Sequence, residues 1–551
     1  MVIGLALFGL GLRLWRLDSE PMHVDELLQA GHVEAGWGEL VGLAYRHNAT
    51  PLDYFIGKAV VTIAPATDFV QRLPAAFLGA AAIGVIGIMI VRSGHSLGGV
   101  LAAGFLAVSP FLVRMSQFAR PYALPVFLVA VTLALYQHWC LGAKTRRTAG
   151  WFGVAGAFAL ISRPMIPMLA LAALGLMALI GALNRHGAHP MRLIRRDPLA
   201  LGVLPALFLF VWVPNLLVMG ATGSGSWLVD CWHCDKWDRL ANGIQRFGEF
   251  GEVVMRPLSF NLLLFLGVVL LAFPSVRRDL GTTRFIWVPL LVAAPAFALV
   301  HAMTLRPDMF FVDRYLVFLP VGLAAYFAIA LAGLVGASRQ LAQPVRGAFR
   351  ITVVVVVVLP LSAMFSEAKA QTEGTYLADW RSVADHIEAS EVDRDLIVTI
   401  DTRPFKEEFR FGFDIAASRY YDGSLNYVTP NDLIRSPGLG LDAGRYHFVL
   451  FVPRLTEDWE FPESWTTATF SQMRVVSTSE LQSPSERIDA WWVLTQQLRS
   501  DVAVRSQIAG AALESEAGVE IYPWIEVAMQ EARRLGQEGF AETLISRITA
   551  E

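Results

Sequence analysis

The chain is short of charge. Only 17% of its 551 residues are Asp, Glu, Lys or Arg, against 54% hydrophobic residues, and the mean hydropathy is +0.47. A soluble globular domain carries about 25% charged residues, so the deficit excludes that class and marks a polytopic membrane protein. No basic stretch precedes the first apolar run and no small-residue cleavage site follows it, which argues against a cleaved signal peptide. No repeat at a fixed period is present, which argues against a transporter built from related halves. There is no long low-complexity linker. Cysteine is scarce, at 3 residues. Cys231-Trp-His-Cys234 has no second Cys-x-x-Cys to complete a tetrathiolate metal site; it reads as a disulfide or a free pair, or as a metal half-site with His233.

Apolar runs dominate what is there. A helix needs about 20 apolar residues to cross a bilayer, because its backbone polar groups must be satisfied internally. Eleven such segments are expected, near 1–17, 72–91, 97–113, 122–141, 149–162, 164–183, 199–219, 259–275, 285–304, 314–335 and 350–366. The first carries Arg13 and Arg16: either it is a short helix whose arginines snorkel, or the chain starts further upstream. Basic residues sort the loops. With the N-terminus inside, Arg92, Lys144, Arg146 and Arg147, Arg185 to Arg196, Arg277 to Arg284, and Arg339 to Arg350 all fall on the inner side. The first outer loop is then 18–71, a large outer loop is 220–258, and everything after about 367 is outside.

The two ends differ in charge. Residues 367–551 hold 31 Asp and Glu against 17 Lys and Arg, a net of −14; residues 1–366 hold 17 against 28, a net of +11; the sum is the chain's −3. The chain therefore divides into a basic-looped transmembrane domain, 1–366, and an acidic extracytoplasmic domain, 367–551. In the latter, 395–401 and 446–452 read as buried strands and 379–390 as an amphipathic helix, giving a small α/β domain. The stretch 501–550 reads as a helical C-terminal part.

The chemistry centres on Asp25 and Glu26, adjacent carboxylates just past the first apolar segment. Two acids at a membrane face are costly to desolvate and mark a reactive site; the competing reading is first-turn acids of an interfacial helix at 24–35. Several ordered motifs resemble the GT-C superfamily of membrane glycosyltransferases, and within it the glycosyltransferase family 39 group of protein O-mannosyltransferases and lipid A aminoarabinose transferases. His23-Val-Asp-Glu26 is similar to that group's acidic motif, Thr50-Pro-Leu-Asp-Tyr-Phe55 to its Pro-Pro-Leu-Tyr-Tyr, and Arg72-Leu-Pro74 to its Arg-Leu-Pro. Ser109-Pro110 and Ser116-Gln-Phe-Ala-Arg-Pro-Tyr122 resemble its Ser-Pro and Gln-Glu-Ala-Arg-x-Tyr elements. Asp313-Arg-Tyr315 and Asp379-Trp-Arg381 resemble two later motifs. Phe118 stands where the group has Glu, and Thr50 where it has the first Pro.

The resemblance implies an inverting transferase that takes a sugar from a polyprenyl-phosphate donor to a protein, glycolipid or polysaccharide acceptor at the outer membrane face. Asp25, with Glu26, is expected to take the acceptor proton. Arg120, Arg314 and Lys58 are candidates to hold the leaving phosphate, and His47, Asp53 and Tyr122 to support the site. Against this, Arg120 and Arg314 also suit interfacial anchors, Lys58 a snorkelling side chain, and His47 a solvated loop residue. Some relatives use a divalent metal near the acids, which leaves a metal at Asp25 and Glu26 open at this point. The Trp-rich segment 226–237 suits an interface or a sugar-stacking cover. The Ala-, Gly- and Arg-rich composition points to a bacterial cytoplasmic membrane, with the site and the C-terminal domain facing the periplasm or exterior. A flippase of lipid-linked sugars and a non-catalytic anchor are the rival readings.

Overall fold

The computed structural model describes residues 1–46, 51–141, 145–163, 165–183, 273–304, 317–338, 342–373, 379–392, 394–401, 419–423, 426–428, 443–451, 461–470, 473–482, 486 and 490. The expected span 199–219, residues 259–272 of the expected span 259–275, the loop 220–258 with its cysteines and tryptophans, His47, Arg314 and the expected helical stretch 501–550 lie outside them. The chain divides into two compact units: residues 1–19 with 29–374, and residues 20–28 with 375–551.

The first unit is helical. Its elements are α1 (Val2–Leu14), α2 (Val24–Glu34, of which 29–34 belong here), α3 (Trp37–Arg46), α4 (Pro51–Ile63), α5 (Asp68–Arg92), α6 (Ser96–Val108), α7 (Pro110–Met115), α8 (Ala123–Leu141), α9 (Arg146–Ser162), α10 (Met165–Leu183), α11 (Pro274–Thr304), α12 (Phe318–Ala337) and α13 (Gln343–Glu373). Among the described residues, α5 and α12 are long and apolar enough by themselves to cross a membrane; α1, α6 and parts of α8 and α10 are shorter apolar helices.

α5 is the hub, packing on α1, α6 and α8, while α12 packs on α6 and α11. It starts where Thr67 accepts the Val70 N–H at 3.3 Å, with Asp68 in the favourable first turn. It stops at Gly94, whose φ of +92° reverses the chain into α6 at no steric cost. Gly87 and Gly99 let α5 and α6 approach closely, since a Cβ on Gly99 would lie 2.5 Å from the Gly87 carbonyl oxygen. The 97–113 segment is not one helix. It breaks at Ser109-Pro110, because proline has no N–H to continue the ladder and sets a new first turn for α7.

The expected first outer loop is largely helical. The lipid-like alternation is absent there; instead α2, α3 and α4 bury Val33, Leu40 and Tyr54 against Phe55 and Val61 in a small core of their own. α4 also packs on α5 and α9. Arg72 of the Arg-Leu-Pro motif is buried and donates to the Leu17 carbonyl at 2.9 Å, tying the end of α1 to α5.

The second unit contains α14 (Trp380–Ser390) and a sheet of β1 (Leu396–Asp401), β2 (Asn426–Val428), β3 (Tyr446–Phe451), β4 (Thr466–Phe470) and β5 (Met473–Ser477). The order is β2-β1-β3-β5-β4. β1 is parallel to β2 and β3, whereas β3/β5 and β5/β4 are antiparallel, so the sheet is mixed. Asp379 caps α14, accepting the Ser382 N–H at 3.2 Å, and the helix buries Trp380, Val383, Ala384 and Ile387 as one apolar face.

His447 lies opposite Ser477 in the β3/β5 register. Its Nδ1 is 2.7 Å from Ser477 Oγ and its Nε2 is 3.1 Å from Asp395 Oδ2. An ionised Asp395 only accepts, so Nε2 carries the proton and Ser477 donates to Nδ1. The series has the residue types of an acyl-transfer triad, but His447 is 0% exposed and Asp395 and Ser477 are buried too. No substrate reaches it, and it serves as a buried strut. Burial would raise Asp395, but hydrogen bonds from Arg445, the Val392 N–H and His447 hold it below the usual carboxylate range. Burial pushes His447 below the ordinary imidazole value, more than its Asp395 partner raises it.

Candidate functional site

In the second unit, the acidic motif opens α2. Glu26 is 0% exposed, and its Oε2 accepts the His23 N–H at 2.9 Å, the return half of a capping box. His23 Nδ1 in turn accepts the Asp25 N–H at 3.2 Å, so the imidazole caps the same turn. Glu26 is therefore engaged in capping the start of the helix. Asp25 is half-buried, with Oδ2 3.8 Å from His23 Nδ1. The segment is tied to the domain that follows α13: the Met22 N–H donates to Tyr420 Oη at 2.8 Å, and the Arg381 guanidinium lies 5.4 Å from the Tyr420 ring centroid. The Asp379-Trp-Arg381 motif thus caps a helix through its first residue and stacks on Tyr420 through its last.

In the first unit, three chain segments bring polar groups together. α4 carries Asp53, α2 carries Gln29, and the turn between α7 and α8 carries Arg120 and Tyr122. Gln29 Nε2 donates to Asp53 Oδ2 at 2.5 Å, and Arg120 Nη1 donates to Gln29 Oε1 at 3.5 Å. The amide orientation follows from the partners: a carboxylate needs a donor and a guanidinium needs an acceptor. Arg163, the residue that ends α9, places its guanidinium 5.1 Å from the Tyr122 ring centroid. The Tyr122 N–H donates to the Arg120 carbonyl at 2.7 Å, a tight turn about Pro121. Phe118 meets Tyr122 edge-on at 6.4 Å between centroids, so the position that holds Glu in the family-39 motif is occupied by part of an aromatic pair.

Burial pushes Asp53 up to about 6, against the lowering effects of its Gln29 hydrogen bond and of the Arg120 and Arg163 charges. Two guanidinium groups therefore act on one carboxyl that is mostly ionised at neutrality and takes up a proton in mild acid. The cluster carries excess positive charge, which suits an anion.

Of the residues expected at the site, Asp53, Arg120 and Tyr122 come together here. Lys58 instead points its ammonium at the Glu34 carbonyl, at 3.3 Å, beside the Glu34–Gln71 hydrogen bond of 2.7 Å. Asp25 and Glu26 belong to the second unit, and Arg314 and His47 lie outside the described residues. Gln29 and Arg163 escaped the sequence reading. Arg163 had one available signal: it is the sole residue between two apolar runs, a costly place for a charge without a task. Among the described residues, no three His, Cys, Asp or Glu side chains are gathered to hold a metal ion.

No family model matches the chain, and no curated protein matches it. Solved structures do. The fold is similar to that of ArnT from Cupriavidus metallidurans in the apo state, at 12% identity over 86% of this chain and 97% of that one, with a TM-score of 0.55. The structure of ArnT bound to undecaprenyl phosphate is similar over the same shares, at 12% identity and a TM-score of 0.53. The three-dimensional arrangement of the chain is thus similar to the fold seen in both ArnT structures.

Proposed function

We propose that the protein is an inverting glycosyltransferase that moves a sugar from a polyprenyl-phosphate donor to an acceptor at the outer face of a bacterial cytoplasmic membrane. The observation that carries this reading is the convergence of Arg120 and Arg163 on Asp53 and Gln29, in a chain whose fold is that of ArnT. A phosphodiester leaving as a phosphomonoester gains one negative charge. Fixed guanidinium groups answer that gain, because they are always charged and present a planar fork. Arg314, read from its motif alone, is assigned to the same task.

Asp25 is the proposed base, on the strength of its motif and its half-buried carboxylate. The acceptor hydroxyl gives its proton to Asp25 while its oxygen forms a bond to the anomeric carbon. The bond from that carbon to the phosphate oxygen breaks, and the electron pair leaves with the polyprenyl phosphate. Attack opposite the leaving group inverts the centre. The acceptor is a protein, glycolipid or polysaccharide hydroxyl. Glu26 is set aside from the chemistry because it caps α2.

The test is release of polyprenyl phosphate from a panel of polyprenyl-phosphate sugars by the purified protein, with a membrane extract as acceptor. Release by wild type but not by Asp25→Asn is the expected result. A folded wild type that moves lipid-linked sugar across a vesicle membrane without releasing polyprenyl phosphate would replace this reading with the flippase.

A further inference from the structure

We propose that Asp53 is the resident counter-anion of the donor site: its carboxylate offsets one of the two guanidinium charges when the site is empty, and the donor phosphodiester displaces that charge with uptake of one proton. The proposal rests on the assignment of Arg120 and Arg163 to the donor phosphate and goes beyond it by naming what the phosphate competes with.

The geometry supplies three parts. Asp53 is held at the cluster by the 2.5 Å hydrogen bond from Gln29, so it cannot swing away to let a phosphate in. The amide joins it to Arg120, and Arg163 acts on it from the end of α9, so carboxylate and phosphate share the same two cations. The proton-accepting group stands within reach of either state, since burial brings it to about 6. At ~6 Å and an effective dielectric of about 20, two like charges repel strongly enough to favour the proton on the carboxyl once a phosphate arrives. Gln29 tolerates either state, because a protonated Asp53 keeps a carbonyl oxygen that still accepts from Gln29 Nε2, while Gln29 Oε1 goes on accepting from Arg120.

Other charged groups on the elements packed around α4 have different partners. Glu34 on α2 binds Gln71 of α5 and, through its carbonyl, Lys58. Arg72 of α5 holds the Leu17 carbonyl. Asp68 sits in the first turn of α5, His32 of α2 lies 5.7 Å from the Tyr54 ring, and Glu39 of α3 is exposed. Arg120 and Arg163 are the charges that set the state of Asp53.

The consequence runs against intuition: removing an acid from the site should improve donor binding. The full-length protein in detergent is titrated with undecaprenyl methyl phosphate, a phosphodiester whose single charge does not change between pH 5 and 8. Isothermal calorimetry in buffers of different ionisation enthalpy counts the protons taken up. Wild type should take up close to one proton per lipid near pH 7, and should bind up to about tenfold tighter at pH 5 than at pH 7.5. Asp53→Asn, which keeps the shape and can still hydrogen-bond Gln29, should bind at pH 7.5 as tightly as wild type does at pH 5. It should take up no proton and show a flat profile.

A merely structural Asp53 would give weaker binding in Asp53→Asn, and that result overturns the proposal. So does unchanged proton uptake in the variant; in both cases wild-type binding of the lipid leaves the donor assignment standing. Folded wild type that binds no polyprenyl phosphodiester at any pH overturns the donor assignment itself, and the counter-anion with it. Asp53→Ser serves as the second variant if Asp53→Asn does not fold, with the same flat profile expected.

Discussion

Arg13 donates from Nη2 to the carbonyl of Leu106 at 3.3 Å, the carbonyl that Pro110, four residues on and without an N–H, leaves without a helical partner. The same guanidinium donates to Gly9 at 2.9 Å and Ala107 at 3.4 Å. Gly79 leaves room for it beside Ser116. An arginine in the first apolar helix, 1% exposed, is thus the cap for a helix that proline cuts short. The Arg13 and Trp15 carbonyls in turn accept from Gln117 Nε2, at 3.2 and 3.1 Å, so the Ser-Pro and Ser-Gln motifs both brace α1.

Arg13→Leu should therefore destabilise the protein by about 1–3 kcal/mol, the cost of a buried unsatisfied carbonyl. In a Pro110→Ala background the backbone regains its N–H, and the cost should fall by ~1 kcal/mol. A double-mutant cycle of thermal unfolding in detergent measures that coupling. Additive effects would show that the two residues do not share the Leu106 carbonyl.

The two neighbouring acids should separate cleanly. Asp25→Asn should lower turnover by about 10²–10⁴-fold with little change in melting temperature. Glu26→Gln, which still accepts at a capping box, should retain both activity and stability, whereas Glu26→Ala should lose ~1 kcal/mol of stability. Steady-state kinetics beside thermal melts on the three purified variants decide the matter. A turnover loss in Glu26→Gln as large as that in Asp25→Asn would return Glu26 to the chemistry.

Arg163 should matter to donor use as much as Arg120. Replacing either with Ala should raise the donor KM by about tenfold or more, in line with loss of a hydrogen-bonded charge contact of about 1.5–3 kcal/mol. Arg163→Lys should rescue only partly, because an ammonium lacks the planar face that lies on Tyr122. Initial rates against donor concentration for the three variants provide the check.

Asp53 also has a signature in stability. Its folded-state value, about 6, lies above the ordinary carboxylate value of 3.8, so between these values the folded state holds a proton that the unfolded chain has released. The group favours folding at low pH, and that contribution is lost as pH rises through about 6, by at most roughly 3 kcal/mol for two pKa units. The difference in melting temperature between pH 5 and pH 7.5 should therefore shrink in Asp53→Asn.

The second unit should respond to acid in the opposite direction. His447 is held below its ordinary value, so the unfolded chain binds more protons as pH falls below about 6.5, and the domain loses stability on acidification. Asp395, also held low, contributes stability above its ordinary range and gives it up as pH falls through its folded-state value. Hydrogen exchange of the β1, β3 and β5 peptides in the intact protein should quicken from pH 7 to pH 5, after correction for intrinsic rates. His447→Gln should flatten that trend. Asp395→Asn should cost about 3–5 kcal/mol, because Arg445, bonded to it at 2.5 Å, loses its charge partner.

Hydropathy by itself located most of the described helices of the first unit. Apolar runs must become helices in lipid, since no other local structure satisfies the backbone there, and α5, α8, α9, α10 and α12 start and stop within a few residues of the expected bounds. Strands β1 and β3 were equally legible, because a short run rich in β-branched and aromatic residues between turn signals has few other uses. The break of the third segment at Pro110, and the early start of α11 at Pro274, depended on local caps and packing that hydropathy does not register.

Only the tertiary structure decided which polar residues share a site. Asp25 and Glu26 look alike in the sequence, yet Asp25 is half-open and Glu26 is a buried cap whose Oε2 accepts the His23 N–H. Gln29, Asp53, Arg120 and Arg163 are separated by 24, 67 and 43 positions, and no periodicity links them. α4 packs on α9, and Gln29 joins Asp53 to Arg120; side chains brought together by packing leave no mark on the local sequence.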